Sequence, residues 1–420
     1  MTRPPITPPR TWRQRLRRRA ASRGTPERLW LFTALVTVGA LAVGGTGIAL
    51  AHSLRATATT ATERTSPAVV DAARATALLA DADRAAAQTL LPPGAWGGLR
   101  EPYQQDMGTA QEALSRAADV DTTGARGAAW VQSVSGLLVS YVGFLTSAVG
   151  AADQGGTAGA ATPGPDTPAA RPDQQAVSMD LVYLAYASDL IREPNGILNT
   201  VTAFQKANSD NLPGPGSGPW VLLGCHLAAA LALLCLLIAG HRFLRRRFHR
   251  RVSLGLLGFV VVLVLLSAGL TTATVRTADR LEHAVDQTHS LACLWQARAA
   301  AAITAHDRVV ATYSSGMPGG DHLVLGDSGS AGSLPAAAGC PARPTEVRTL
   351  AAADATNERA YQNADHELGI YLDEQAGDLT RTLAAAPPSA SLPWMTAVGM
   401  LALLALCGAA FGPRIREYAI

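Results

Sequence analysis

Residues 220–240, WVLLGCHLAAALALLCLLIAG, and residues 252–270, VSLGLLGFVVVLVLLSAGL, enclose a short basic stretch, HRFLRRRFHRR, at 241–251. Each apolar run is close to the roughly 20 residues that a helix needs to cross a bilayer. The stretch between them carries Arg242, Arg245, Arg246, Arg247, Arg250 and Arg251 and no acid. Short arginine-rich loops stay on the cytoplasmic side, so this hairpin orients everything before and after it.

Working outward, residues 29–51 (LWLFTALVTVGALAVGGTGIALA) are too long for the core of a cleavable signal peptide and read as a retained first span. The arm before it, residues 1–28, holds nine arginines and one glutamate, which places the N-terminus inside. It reads as a disordered basic arm, with an interfacial helix around residues 12–19 as the alternative. A last run at 394–411 precedes Arg414 and Arg416 in a tail at 412–420, so the C-terminus also returns inside. The third span is taken as 252–275. The sequence therefore predicts an all-α membrane protein with four transmembrane helices and two extracytoplasmic helical-bundle domains, at 52–219 and 276–393, in the cell membrane.

The formal charge of +3 conceals a segregation by compartment: +8 in the arm, +6 in the basic turn, +1 in the tail, and −6 in each outer segment. Every Asp, Glu, Lys and Arg is then accounted for outside the spans. Carriers and pumps usually keep ionisable groups within the membrane, and only His226 qualifies here. It reads more readily as an interfacial histidine than as a proton relay. Nor does the basicity point to nucleic acid, because the arginines flank spans, where they set orientation and meet anionic lipid.

Of five cysteines, Cys225, Cys235 and Cys407 fall in spans, while Cys293 and Cys340 share the second outer segment. That compartment is oxidising, and a Cys293–Cys340 disulfide is expected. It would contribute roughly 4 kcal/mol on a chain-entropy estimate.

The outer segments show helical periodicity and no strand-like alternation. Ser66-Pro67 offers an N-cap and a first helical position, followed by an alanine seam at Ala68, Ala72, Ala75, Leu79, Ala82 and Ala86. Further helices are predicted near 100–120, 125–152 and 176–208, the last interrupted by Pro194, Asn195 and Gly196. Residues 153–175 form a low-complexity loop, and the segment is most simply a four-helix bundle. The second segment continues the third span as a rod to about residue 315, passes through a Gly, Ser and Ala loop at 316–343, and resumes as helix at 345–385.

No phosphate-binding glycine loop, calcium loop or complete zinc helix is present; after His366-Glu367 the position for a second ligand is Ile370. The chain is expected not to be an enzyme, and no cofactor or metal is expected. Its functional clue is continuity. Spans one and three leave the membrane without Gly or Pro, whereas spans two and four are entered through DNLPGPGSGPW and APPSASLPW. A stiff exit transmits a helix shift and a broken one tethers. The two stiff exits end alike, at Glu63-Arg64 and Asp279-Arg280. These are the candidate signal-transmitting positions. Duplication of a span, domain and span unit explains the likeness as well as shared composition does.

The arginine-rich arm, the HRFLRRRFHRR turn, the two outer helical segments and the short C-terminal tail resemble the actinobacterial GlnX family of four-span membrane proteins. The outer segments also resemble the four-helix-bundle sensor modules of chemoreceptors and histidine kinases, whose cytoplasmic signalling domains are missing here. The GlnX resemblance implies a relay in which an extracytoplasmic solute-binding protein alters a cytoplasmic serine/threonine protein kinase. The six arginines of the turn are then the inner contact, to that partner or to membrane lipid, and the architecture accommodates a homodimer. Two other readings stay open: a structural scaffold of an envelope or division complex, and a transporter subunit.

Overall fold

A computed structural model describes residues 25–90, 96–158, 179–213, 219–248, 254–314, 349–350 and 358–417. Helix α1 (Thr25–Thr60) runs into a π-helical turn (Ala61–Thr65) and on into α2 (Ser66–Leu90). Ser66-Pro67 was expected to begin a helix. Instead the helix passes through it, and the π turn shows how. Pro67 has no N–H for the carbonyl of Glu63 four residues back. One turn earlier the ladder widens: the Ser66 N–H reaches the Ala61 carbonyl, and the Thr65 hydroxyl donates to the Thr60 carbonyl at 3.3 Å. Such single wide turns absorb a local mismatch without ending a helix.

Then follow α3 (Trp96–Asp119), α4 (Ala125–Ala158), α5 (Met179–Arg192), α6 (Ile197–Asp210), α7 (Pro219–Phe248), α8 (Leu254–Ser314), α9 (Glu358–Ala385) and α10 (Leu392–Glu417). Among the described residues there is no strand. Three expected boundaries move. The loop expected from 153 begins later, since α4 reaches Ala158 and residues 159–175 lie outside the described residues. The basic turn is shorter than 241–251, because α7 continues to Phe248. The tail at 412–417 is helical. The loop at 316–343 and the arm up to residue 24 lie outside the described residues.

Among the described residues, five helical stretches are long and apolar enough to cross a membrane: Trp30–Thr89, Ala125–Ala151, Pro219–Arg242, Gly255–Thr312 and Leu392–Ala410. Four contain the runs singled out above, and the fifth is α4. The chain is an all-α membrane protein. It divides into two compact units, the first made of Met1–Thr57, Pro215–Ala278 and Pro388–Ile420, the second of Ala58–Gly214 and Asp279–Pro387.

In the first unit α1, α7, α8 and α10 share a core of Val36, Val43, Leu233, Leu237, Phe259, Leu263 and Leu403. Large apolar side chains such as Val38, Leu231, Leu265 and Leu401 are exposed, which suits a surface covered by lipid. Glycine permits the closest approach at Gly240, where a Cβ would lie 2.0 Å from the Phe32 ring. Gly240→Ala is therefore expected to destabilise the chain by about 1–3 kcal/mol through overpacking. Gly224→Ala, with open space around it, should not. Thermal unfolding of the full chain in detergent measures both.

In the second unit the two outer segments, read from the sequence as separate modules, share one core. Buried residues of α2 to α6 join Leu291, Trp295, Ala302 and Val309 of α8 and Tyr361, Leu368 and Leu372 of α9. Helix α2 is the hub: from Ala75 to Thr89 every residue is buried. Its alanines keep neighbouring helices close. Between α3 and α4, Gly124 takes φ +65°, a left-handed conformation that favours glycine. Asn208 of α6 ties that corner down by donating to Asp121 at 3.0 Å.

Candidate functional site

A hub of small apolar residues would be unremarkable but for Asp81, Asp83 and Arg84, all at least 95% buried within it. Burying a charge is costly unless it is paired and hydrogen-bonded. Each of the three is.

Asp81, Arg84 and Gln88 share one face of α2, being three and four residues apart. Arg84 Nε donates to Asp81 Oδ1 at 2.7 Å and its Nη1 to Gln88 Oε1 at 2.6 Å, while its guanidinium lies 3.9 Å from the Tyr361 ring centre. From α8, Arg298 Nη2 donates to Asp365 Oδ2 of α9 at 2.7 Å and reaches Asp81 Oδ2 at 3.4 Å. Tyr361 OH approaches Asp81 Oδ1 at 3.5 Å. Asp106 of α3 completes this half, within electrostatic reach of Asp81, Arg298, Asp365 and Arg84. Burial, together with Asp81, pushes the Asp106 carboxyl up to about 7. Burial also raises Asp365, although Arg298 opposes it. Burial works against the charge of Arg298, yet Asp365 and Asp81 prevail and hold its pKa above the usual value.

Asp83 projects from a different side of α2, because two residues turn a helix by about 200°. Ser188 of α5 donates its hydroxyl to Asp83 Oδ1 at 2.9 Å, and Arg192 Nη2 donates to Oδ2 at 3.0 Å. His306 of α8 places Nδ1 3.2 Å from the same Oδ2 and Nε2 3.4 Å from the Ser188 hydroxyl. Arg192 also binds Asp307. Burial lowers the His306 pKa against the pull of Asp83, which favours the neutral ring. The Tyr141 hydroxyl, fully buried on α4, has no partner among the described residues, and burial raises its pKa. Tyr103 is pushed up to about 12 by burial and by Asp83.

This network joins helices from both outer segments. It offers no described group of three His, Cys, Asp or Glu able to hold a metal ion. What it does offer is a set of buried, paired charges that ties α2 to α5, α8 and α9.

The residues singled out from the sequence lie elsewhere. Glu63 and Arg64 are exposed on the π turn, and Asp279 is exposed on α8. Arg280 donates to the Ala385 carbonyl at 3.1 Å. No ion pair among the described residues joins the two exits. Arg242 is exposed on α7, Arg245, Arg246 and Arg247 follow on the same helix, and Arg250 and Arg251 lie outside the described residues. Cys225, Cys235 and Cys407 are free. Cys293 is not among the free thiols, and its expected partner Cys340 lies outside the described residues. His226, read from the sequence as interfacial, is fully buried in the first unit, with Nδ1 3.3 Å from the Thr46 hydroxyl. The buried network was not read from the sequence. Its trace there was the run DADR inside an otherwise apolar alanine seam.

With the site in view, the class is that of an all-α membrane protein whose second unit is a helical bundle held by internal charge. Residues 57–214 match the family model of an actinobacterial sensor domain, and the match nearly coincides with the Ala58–Gly214 part of that unit. Neither curated proteins nor solved structures gave a match to the chain.

Proposed function

We propose that the protein is a signal-transducing membrane receptor or adaptor, in which the second unit reads an extracytoplasmic signal and passes it to a cytoplasmic effector. The observation that carries this reading is where the charges sit. The two helical stretches that leave apolar segments without a break, α1 through α2 and α8, are the two that hold Asp81, Asp83, Arg298 and His306. A change in the charge network acts on those two helices first. Glu63-Arg64 and Asp279-Arg280 lie on their path, and the π turn at Ala61–Thr65 is a point at which a helix shift is readily taken up.

The topology that fits has four spans, in α1, α7, α8 and α10, with both termini cytoplasmic. The arginines of 1–28 and 242–251 support that orientation. Helix α4 is left outside the membrane because it packs against α5 and α6 within the second unit. Arg242, Arg245, Arg246, Arg247, Arg250 and Arg251 are the inner contact, to anionic lipid and to an effector. Following the GlnX resemblance, the effector is a serine/threonine protein kinase and the outer partner a solute-binding protein. A Cys293–Cys340 disulfide fastens the second outer segment. The role requires no catalysis by the chain itself.

Proximity labelling in the native membrane tests this, with one tag on the N-terminal arm and a second near residue 165. A soluble kinase recovered by the inner tag and a binding protein by the outer one, both changing with nutrient supply, is the expected result. Constitutive recovery of wall-synthesis or division proteins would replace the relay with a scaffold.

A further inference from the structure

We propose that Arg74, Trp295 and Arg298 form a binding site for a small carboxylate in the second unit. The inference rests on the sensor reading above and supplies the chemical class of its signal.

Trp295 and Arg298 lie one turn apart on α8, and Arg74 reaches the same indole from α2. The guanidinium carbons of Arg74 and Arg298 stand 5.6 Å and 5.5 Å from the Trp295 ring centre. Cation–π attraction accounts for two cations crowding one ring, and it uses none of their N–H groups. Three N–H groups here are buried without an acceptor among the described residues: Arg74 Nε, Trp295 Nε1 and Arg298 Nε. Guanidinium and indole nitrogens donate and never accept, so these groups cannot satisfy one another. Trp295 is 5% exposed and Arg298 8%, which keeps bulk water from serving them. Buried donors left unpaired are costly and uncommon, and three about one side chain call for an acceptor.

Charge narrows what that acceptor is. Arg298 is committed to Asp365 and Asp81, whereas Arg74 makes no ion pair among the described residues. Its neighbour one turn earlier, Asp71, is taken by Arg116. A guanidinium is always charged, so Arg74 leaves one positive charge without a counterion. A single negative charge balances it, while a second would meet Asp81 and Asp365 beside Arg298. A carboxylate brings that one charge together with two acceptor oxygens, enough lone pairs for all three donors. Arg74 is half-buried, so solvent reaches the site through it. A bound carboxylate then bridges α2 to α8, the two helices on which the relay depends.

The test is thermal unfolding of the full chain in detergent, with sodium acetate exchanged for sodium chloride at constant ionic strength. Acetate should raise the midpoint saturably, by a few degrees at saturation. Trp295→Phe keeps the ring and removes one donor, and should weaken the apparent acetate affinity about tenfold. Arg74→Gln should abolish the response, and Arg74→Lys, which restores the charge without Nε, should recover part of it. Broadening of the 13C-acetate resonance by each chain reads binding directly, whatever a variant does to stability. Equal midpoints in the two salts with no broadening, or an acetate response unchanged in Trp295→Phe and Arg74→Gln, would overturn the site. Because partner recovery is measured separately, a chain that keeps its kinase and binding protein but ignores acetate loses the carboxylate site alone.

Discussion

Arg298→Ala is expected to cost the second unit about 3–5 kcal/mol, the usual effect of stripping one partner from a buried ion pair. Arg298 is 8% exposed and is ion-paired with both Asp81 of the first outer segment and Asp365 of the second. Without it Asp365 loses its ion pair, while Asp81 keeps Arg84. The loss should shrink toward acid pH. Arg298 is what holds Asp365 down against burial, so in the variant Asp365 takes up a proton more readily and the unpaired charge is removed. Denaturant unfolding of the full chain in detergent at pH 8 and at pH 5 measures both parts. A small loss that does not vary with pH would mean that Arg298 is a packing residue only.

Asp83→Ala should be about as severe, roughly 3–5 kcal/mol, because one carboxylate satisfies Ser188, Arg192 and His306 together. The larger part of that cost is the charge left on Arg192, which keeps only Asp307. Combining Asp83→Ala with Arg192→Ala separates the terms. The double variant should be more stable than the two single losses summed, with a coupling of about 1–3 kcal/mol. Additive losses would place the value of Asp83 in its contacts with Ser188 and His306 instead.

Both effects belong to residues that no local pattern marked as a site. In α2 the heptad at Ala68, Ala72, Ala75, Leu79, Ala82 and Ala86 correctly announces a buried helix. Alanine, however, is compatible with almost any neighbour. It says that something packs closely and not what. Read by period alone, Asp81 and Arg84 look like an ordinary i, i+3 surface pair. The continuous helix through Ser66-Pro67 was hidden for a related reason, since that dipeptide signals a helix start wherever no wider turn precedes it, and the π turn is not written in residue types.

The sequence by itself determined that this is a helical membrane protein. Apolar length and the placement of arginines are one-dimensional properties, read directly from runs such as 220–240 and 241–251. Only the tertiary structure decided that the two outer segments share a single core, and that Asp81 meets Arg298 across 217 residues of chain. The physical reason is that pairing between distant helices depends on which of several similar alanine-rich faces come together. That choice is made by the packing and charge balance of the whole unit, because no single segment carries enough information to make it.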